Sequence, residues 1–482
     1  MAAQPSSVEI RTYQVGFGDC FLLSFVYEKK RRHVLIDFGS TGVPKAKKPR
    51  AARGAKARRA KRKAKPALTL GRHLRRVADD IAAVCGKEGL TAIVATHRHA
   101  DHINGFGTEG KTGRSGEVIK ALKPRVVLQP WTEDPDAKRN ATAATRDTSR
   151  SARGFVAGLA AMNDIAARVA RLASRPPSWM SASLQKELLF LGLDNIANRS
   201  AVDNLIAMGQ RKGATAVWAH HGSNAGLGRL LPGVRVHVLG PPNLRQSEKI
   251  RKMRSRDPDQ FWQLVAGGAG SRGDQAIARA RGRGRVATPV PSEARWFRDR
   301  LEKLNGEQIL EIVRTLDQQM NNTSLILLFE VLGQKLLFPG DAQVENWSFA
   351  LEDAPDAKRT RKLLAEVDVY KVGHHGSLNA TPKKSLWENF SKRKGKRLHT
   401  LLSTAAGKHG HTTSNTEVPR RTLLTALKKE SQLQSTADLK FGLDTPPCHC
   451  LKLTRSGAAA TTDPVRSTRR RRLRGNVSPR PD

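Results

Sequence analysis

Apolar and polar positions along the chain form short alternating or continuous runs separated by amphipathic stretches, the pattern of an α/β protein. Residues 8–14 alternate and lead through Val15-Gly16-Phe17-Gly18-Asp19 into the apolar run 20–27. This predicts two strands joined by a tight Gly-Asp turn, because glycine supplies the positive-φ backbone that a hairpin needs. A third strand is predicted at 33–39. Leu74, Val77, Ile81 and Val84 recur at helical spacing within 68–88, where Gly86 and Gly89 close the pattern. The apolar runs 90–95 and 125–130 read as buried strands. From 132 to 210 the chain turns rich in Ala, Arg and Leu, with Phe155, Leu159, Met162, Ile165, Val169 and Leu172 on one face and a break at Pro176-Pro177. That stretch predicts an inserted helical layer. Strands are expected at 214–219 and 234–242, then a polar, basic loop over 243–291 and a helix over 292–319. Two strands at 321–330 and 334–341, a helix over 347–365, and strands at 367–372 and 401–404 complete the reading.

Charge changes this picture. Among 482 residues Lys plus Arg number 85 against 43 Asp plus Glu, a net charge of +42. Such an excess attracts polyanions, of which nucleic acid is the commonest in a cell. It is concentrated in two segments without apolar periodicity, 45–66 and 466–474, which are read as disordered and as candidate nucleic-acid contacts, with a solubilising role as the alternative. Four cysteines in so long a chain make no disulfide framework and suit a reducing compartment. Residues 1–10 hold no apolar leader, and no run of about 18 apolar residues occurs, so no membrane span is expected and a cytoplasmic location is.

The candidate chemistry lies directly after the predicted strand 90–95. Thr96-His97-Arg98-His99-Ala100-Asp101-His102 packs three imidazoles and a carboxylate into six residues, so a strand ending there points its ligands into one small volume. Imidazole nitrogen and carboxylate oxygen suit borderline divalent metals, and a catalytic site keeps one coordination position open for water. A solvated, histidine-rich loop is the alternative, but His-x-His-x-Asp-His is far more specific than a lone histidine pair. Cys448-His449-Cys450, by contrast, is too crowded to surround one tetrahedral ion and reads as ordinary strand.

With these motifs the chain resembles the metallo-β-lactamase-fold hydrolases, and within them the hydrolase domain attached to the DNA-uptake channel ComEC and its free-standing soluble relatives. The likeness rests on Val15-Gly16-Phe17-Gly18-Asp19, Leu35-Ile36-Asp37-Phe38-Gly39, the 97–102 cluster, Pro339-Gly340-Asp341, Lys371-Val372-Gly373-His374-His375-Gly376-Ser377 and Gly410-His411. It implies an αββα sandwich, two packed mixed sheets with helices outside, formed by a single domain over 1–455. Insertions would occupy 43–67, 132–210 and 243–291, and a basic tail 456–482. It further implies that His97, His99, Asp101, His102, Asp341 and His374 hold one or two divalent ions, zinc or else manganese. Asp341 would bridge them and Asp37 would support the metal loop from behind. Asp101, His375 and His411 are the implied catalytic residues, and Ser377 and Asn379 would bind substrate at the opening.

One departure stands out. Where the wider superfamily has a third histidine for its first metal, this chain has Asn321-Asn322, with His220 and His221 as distant stand-ins. The reaction implied is hydrolysis by a metal-bound hydroxide, with a phosphodiester as substrate and hence nuclease or phosphodiesterase activity. Two alternatives remain open: a hydrolase of a small ester, lactone or thioester, and a nucleic-acid-binding protein whose metal site is structural or degenerate.

Overall fold

The structure, a computed structural model, describes residues 3–44, 68–109, 113–134, 174–176, 180, 182, 185, 198–243, 246–247, 320–377, 380–391, 398–405, 407–408, 417–439 and 448–461. The basic segments 45–66 and 466–474, most of the insertions expected at 132–210 and 243–291, the helix expected at 292–319, Asn379 and His411 lie outside the described residues.

Among the described residues the strands are β1 (Ser7–Tyr13), β2 (Cys20–Val26), β3 (Arg31–Phe38), β4 (Ala92–Val94), β5 (Val126–Pro130), β6 (Thr215–Ala219) and β7 (Arg235–Gly240). They continue with β8 (Ile326–Val331), β9 (Gln334–Phe338), β10 (Val369–Lys371), β11 (His399–Leu402), β12 (Gln432–Ser435), β13 (Cys448–Thr454) and β14 (Gly457–Thr461). Two mixed sheets result, an eight-stranded one in the order β14-β13-β1-β2-β3-β4-β5-β6 and a six-stranded one in the order β12-β11-β10-β9-β8-β7. Strands β3 to β6 run parallel, as do β9 to β12, and the remaining pairs are antiparallel.

Successive residues of β2, β3, β8 and β9 are buried on both faces, which is why these segments read as continuous apolar runs rather than alternating ones. One face of each sheet meets the other in a shared core, where Phe21 and Phe338 pack edge to face with ring centres 5.6 Å apart. The opposite face of the eight-stranded sheet carries α1 (Leu70–Cys85), α3 (Ser115–Ala121) and α4 (Arg199–Gln210), through Leu74, Val77, Ile119 and Leu205. A short α2 (Ala100–Ile103) follows β4. The outer face of the six-stranded sheet carries α5 (Val344–Ser348), α6 (Ala357–Ala365) and α7 (Arg421–Glu430), through Trp347, Leu364 and Leu427.

Three differences from the sequence reading have local causes. The link between β1 and β2 is a loop rather than a tight turn, with Gly16 and Gly18 at φ 106° and 150°, and it carries Asp19 into the interior. The helix expected at 347–365 is broken after a π-helical turn at Phe349–Asp353. Pro355 lacks an N–H and drives the preceding Ala354 to extended backbone (φ −66°, ψ 144°), so α6 has to start afresh. Lastly, β14 lies beyond the domain end expected at 455 and pairs with β13, from Thr454 opposite Gly457 to Cys450 opposite Thr461.

Candidate metal centre

The C-terminal ends of β3, β4, β9, β10 and β11 converge, and the ionisable side chains that follow them meet there. Asp37, at the end of β3, has φ 53°, a left-handed conformation that Asp tolerates better than most residues. So turned, its carboxylate accepts the Thr96 N–H (2.7 Å), the Thr96 hydroxyl (2.8 Å) and the His102 Nδ1 (2.7 Å), and it holds the 96–102 loop from behind. Backbone contacts fix the rest of the loop. The Asp19 N–H donates to the Asp101 carbonyl (2.8 Å), and Gly39 lies so close that a Cβ there would be 2.4 Å from the Ala100 oxygen. Gly340, at φ 54°, presents Asp341 to the same loop, and a Cβ on it would sit 2.8 Å from the Thr96 Cβ.

Asp101, His102, Asp341 and His375 are buried, and each offers one ligand atom within 4.8 Å of all the others. His102 Nε2 is 3.0 Å from Asp341 Oδ2, while His375 Nε2 is 3.1 Å from Asp101 Oδ2 and 3.6 Å from Asp341 Oδ2. The outer nitrogens of both rings are held, His102 Nδ1 by Asp37 and His375 Nδ1 by the Ser403 carbonyl (3.0 Å). That leaves both Nε2 atoms aimed at one volume, the arrangement by which metal-binding imidazoles are oriented. Asp101 Oδ1 is buried and makes no hydrogen bond among the described residues. Two imidazoles and two carboxylates, Asp101 among them, could hold a metal ion.

Electrostatics describe the same group. Burial opposes charge on His102, yet Asp341 and Asp37 hold its imidazolium well above the usual range. Burial likewise disfavours charge on His375, and Asp341 and Asp19 push it up to about 10. Burial would raise the Asp341 carboxyl, but His102 and Lys371 keep it well below the ordinary carboxylate range. His97 is driven the other way, down, by burial and by the nearby His102 and His99. Carboxylates outnumber fixed cations here, so the imidazoles take up protons that an ion would displace.

The sequence-predicted residues distribute as follows. Asp101, His102 and Asp341 join the group. His97 and His99 adjoin it, with His97 Nε2 bonded to His99 Nδ1 (2.9 Å) and the His97 ring centre 4.2 Å from that of His102, but neither belongs to it. His374 and His375 exchange the places expected of them. Both have left-handed backbone, φ 44° and 51°, and this double reversal turns the second ring inward. The His375 ring is fully buried, whereas His374 stays at the rim with its Nε2 3.9 Å from Asp341 Oδ2 and its Nδ1 bonded to Ser377 Oγ (2.9 Å). The His374 N–H donates to Asp341 Oδ1 (3.1 Å). His220 and His221 are no stand-ins: His220 Nδ1 meets the His221 carbonyl, and His221 is bound to the Leu239 carbonyl and Asp356 (2.8 Å). Asn321 is buried, and its side-chain amide makes no hydrogen bond among the described residues.

Two residues of the site escaped the sequence reading. Asp19 is fully buried 3.4 Å from His375 Nδ1, and Lys371 places its Nζ 2.5 Å from Asp19 Oδ2 and 3.2 Å from Asp341 Oδ1. The signal for the lysine was present: one charge inside the apolar strand Val369-Tyr370-Lys371-Val372 requires a buried counter-charge. No protein-family model matches the chain, and no curated protein matches it either.

Proposed function

We propose that this chain is a metal-dependent hydrolase of the metallo-β-lactamase type, an αββα sandwich acting on phosphodiester bonds as a nuclease or phosphodiesterase. The observation that carries the reading is the meeting of Asp101, His102, Asp341 and His375, from three distant segments, around one buried volume. These four side chains would hold the ion. When bound, a divalent ion supplies a lowered pKa for water and positive charge for a developing oxyanion. Asp101, with one oxygen that makes no hydrogen bond among the described residues, orients the attacking water and accepts its proton. His374 and Ser377, at the rim, are placed to hydrogen-bond a substrate oxygen. The phosphodiester is favoured over a neutral ester by the net charge of +42, which concentrates polyanions around the protein.

The test is turnover of bis(p-nitrophenyl) phosphate and of linear DNA by the chain supplied with zinc or manganese, set beside p-nitrophenyl acetate. Asp101→Asn is expected to lower phosphodiester turnover by at least a hundredfold, with circular dichroism unchanged. Undiminished turnover in a folded variant refutes the mechanism, and hydrolysis of the acetate alone moves the substrate class to esters.

A further inference from the structure

We infer that Cys448 and Cys450 form a second metal site, a pair of sulfur ligands on β13 for a thiophilic ion of the zinc and cadmium kind. This site shares no residue with the Asp101 centre and does not depend on the hydrolase reading. Strand alternation separates the three residues of Cys448-His449-Cys450. Leu451 and Leu453 enter the core between the sheets, and His449 shares their side of the strand, where its Nε2 meets the Ser435 carbonyl of β12 at 2.9 Å. Cys448 and Cys450 stand together on the other face, Cys448 against the layer that contains α1, with their sulfurs 3.8 Å apart. Zinc–sulfur bonds of about 2.3 Å at a tetrahedral angle put two sulfurs about 3.8 Å from each other. The pair thus already has the spacing of one edge of that tetrahedron. A disulfide fits less well: two residues apart on an extended strand, the Cα atoms are separated by about 6.6–6.8 Å, the far end of what a disulfide spans. Oxidation has to distort β13 where an ion does not.

Access and charge suit the same assignment. Both thiols are half-buried, so an ion reaches them from solvent, whereas Cys20 and Cys85 are fully buried. The cross-strand neighbour of Cys450 is Arg11, whose guanidinium is 3.4 Å from Glu9, and that of Cys448 is Tyr13, whose hydroxyl donates to Asp80 (2.9 Å). The bond to Cys448 and, against burial, the Arg11 guanidinium hold the Cys450 thiol below its ordinary range, so a thiolate forms there first. Coordination then releases both thiol protons to solvent, and Arg11 offsets part of the charge on the two sulfurs. Thiolates favour soft and borderline ions over the hard ones that carboxylates take, so this strand and the Asp101 centre differ in what they retain.

The experiment titrates the reduced, metal-free full chain with Cd²⁺ under argon and follows the ultraviolet band that arises when a thiolate donates charge to cadmium. Imidazole and carboxylate ligands give no such band, so the Asp101 centre is silent. A saturable band is expected, and its absence overturns the inference. Cys448→Ser or Cys450→Ser leaves one sulfur of the pair and is expected to weaken the titration at least tenfold with circular dichroism unchanged; a smaller loss in a folded variant overturns it. If neither variant folds, the native wild-type chain decides. Its alkylation by iodoacetamide, which reaches the half-buried pair before the buried Cys20 and Cys85, is expected to abolish the band. A band that survives modification of both residues, mapped by mass spectrometry, overturns the inference.

Discussion

Replacing Asp37 by Asn isolates what the carboxylate behind the metal loop contributes. Asn has nearly the same volume and tolerates the left-handed backbone at φ 53°, so the chain path should survive. The Thr96 N–H still finds an oxygen in place of Oδ1. The Oδ2 position, which faces the Thr96 hydroxyl at 2.8 Å and His102 Nδ1 at 2.7 Å, becomes an amide donor pointed at another donor. His102 thereby loses the bond that aims its Nε2 at Asp341. Outer groups that orient a metal-bound imidazole are worth about 10- to 100-fold in metal affinity, which is about 1.4–2.7 kcal/mol. Zinc affinity measured at pH 7 by competition with a chromophoric chelator should weaken by that factor. Thermal melting of the metal-free protein gives the cost to the fold separately. Affinity within twofold of wild type, in a folded variant, would mean that Asp37 does not set the His102 ring and that the geometric account of the site is wrong.

Two further expectations follow from the fold. Phe338→Ala empties a fully buried ring position between Phe21 and Phe329, and should cost about 3–5 kcal/mol of stability by urea unfolding; a loss under 1 kcal/mol would contradict a close-packed inter-sheet core. Acid should destabilise the chain through His33 and His73, whose imidazoles burial holds at about 4 against an ordinary 6.5. The unfolded chain takes up these protons near pH 6.5 and the folded one near pH 4. The stability is therefore whole above pH 6.5 and lost as the pH falls through 4, by up to about 3 kcal/mol per histidine. A His33→Gln, His73→Gln double variant should show a flatter loss between pH 6.5 and 4 in urea melts, and an unchanged slope would acquit both residues.

Much of the architecture was legible because strands buried on both faces, whether paired parallel or antiparallel, leave continuous apolar runs, as at 20–27, 90–95 and 326–331. The elements at the chain's end were not. Gln432-Leu433-Gln434-Ser435 is half exposed on a sheet edge, and Gly457-Ala458-Ala459-Ala460 has little β propensity, so both owe their strand form to the neighbours they pair with. The break at Pro355 was legible in principle. The apolar periodicity on either side of it made one helix look continuous, although proline at that position forbids it.

At the site, residue types announced the chemistry but not which side chain would perform it. Counting outward from an extended strand puts His374 inward and His375 at the opening, and that count assumes the strand conformation persists. Here it does not, because two successive left-handed residues reverse the alternation, and such backbone costs about 1–2 kcal/mol per residue. The surroundings recover that cost through bonds only this conformation allows, the His374 N–H to Asp341 Oδ1 and the His375 Nδ1 to the Ser403 carbonyl. Lys371 was hidden for a related reason. Its ammonium is at home in an apolar strand only because Asp19, more than 350 positions earlier, and Asp341 close around it. A buried charge is thus readable as a demand for a counter-charge, while the identity of its neighbour is written only in the fold.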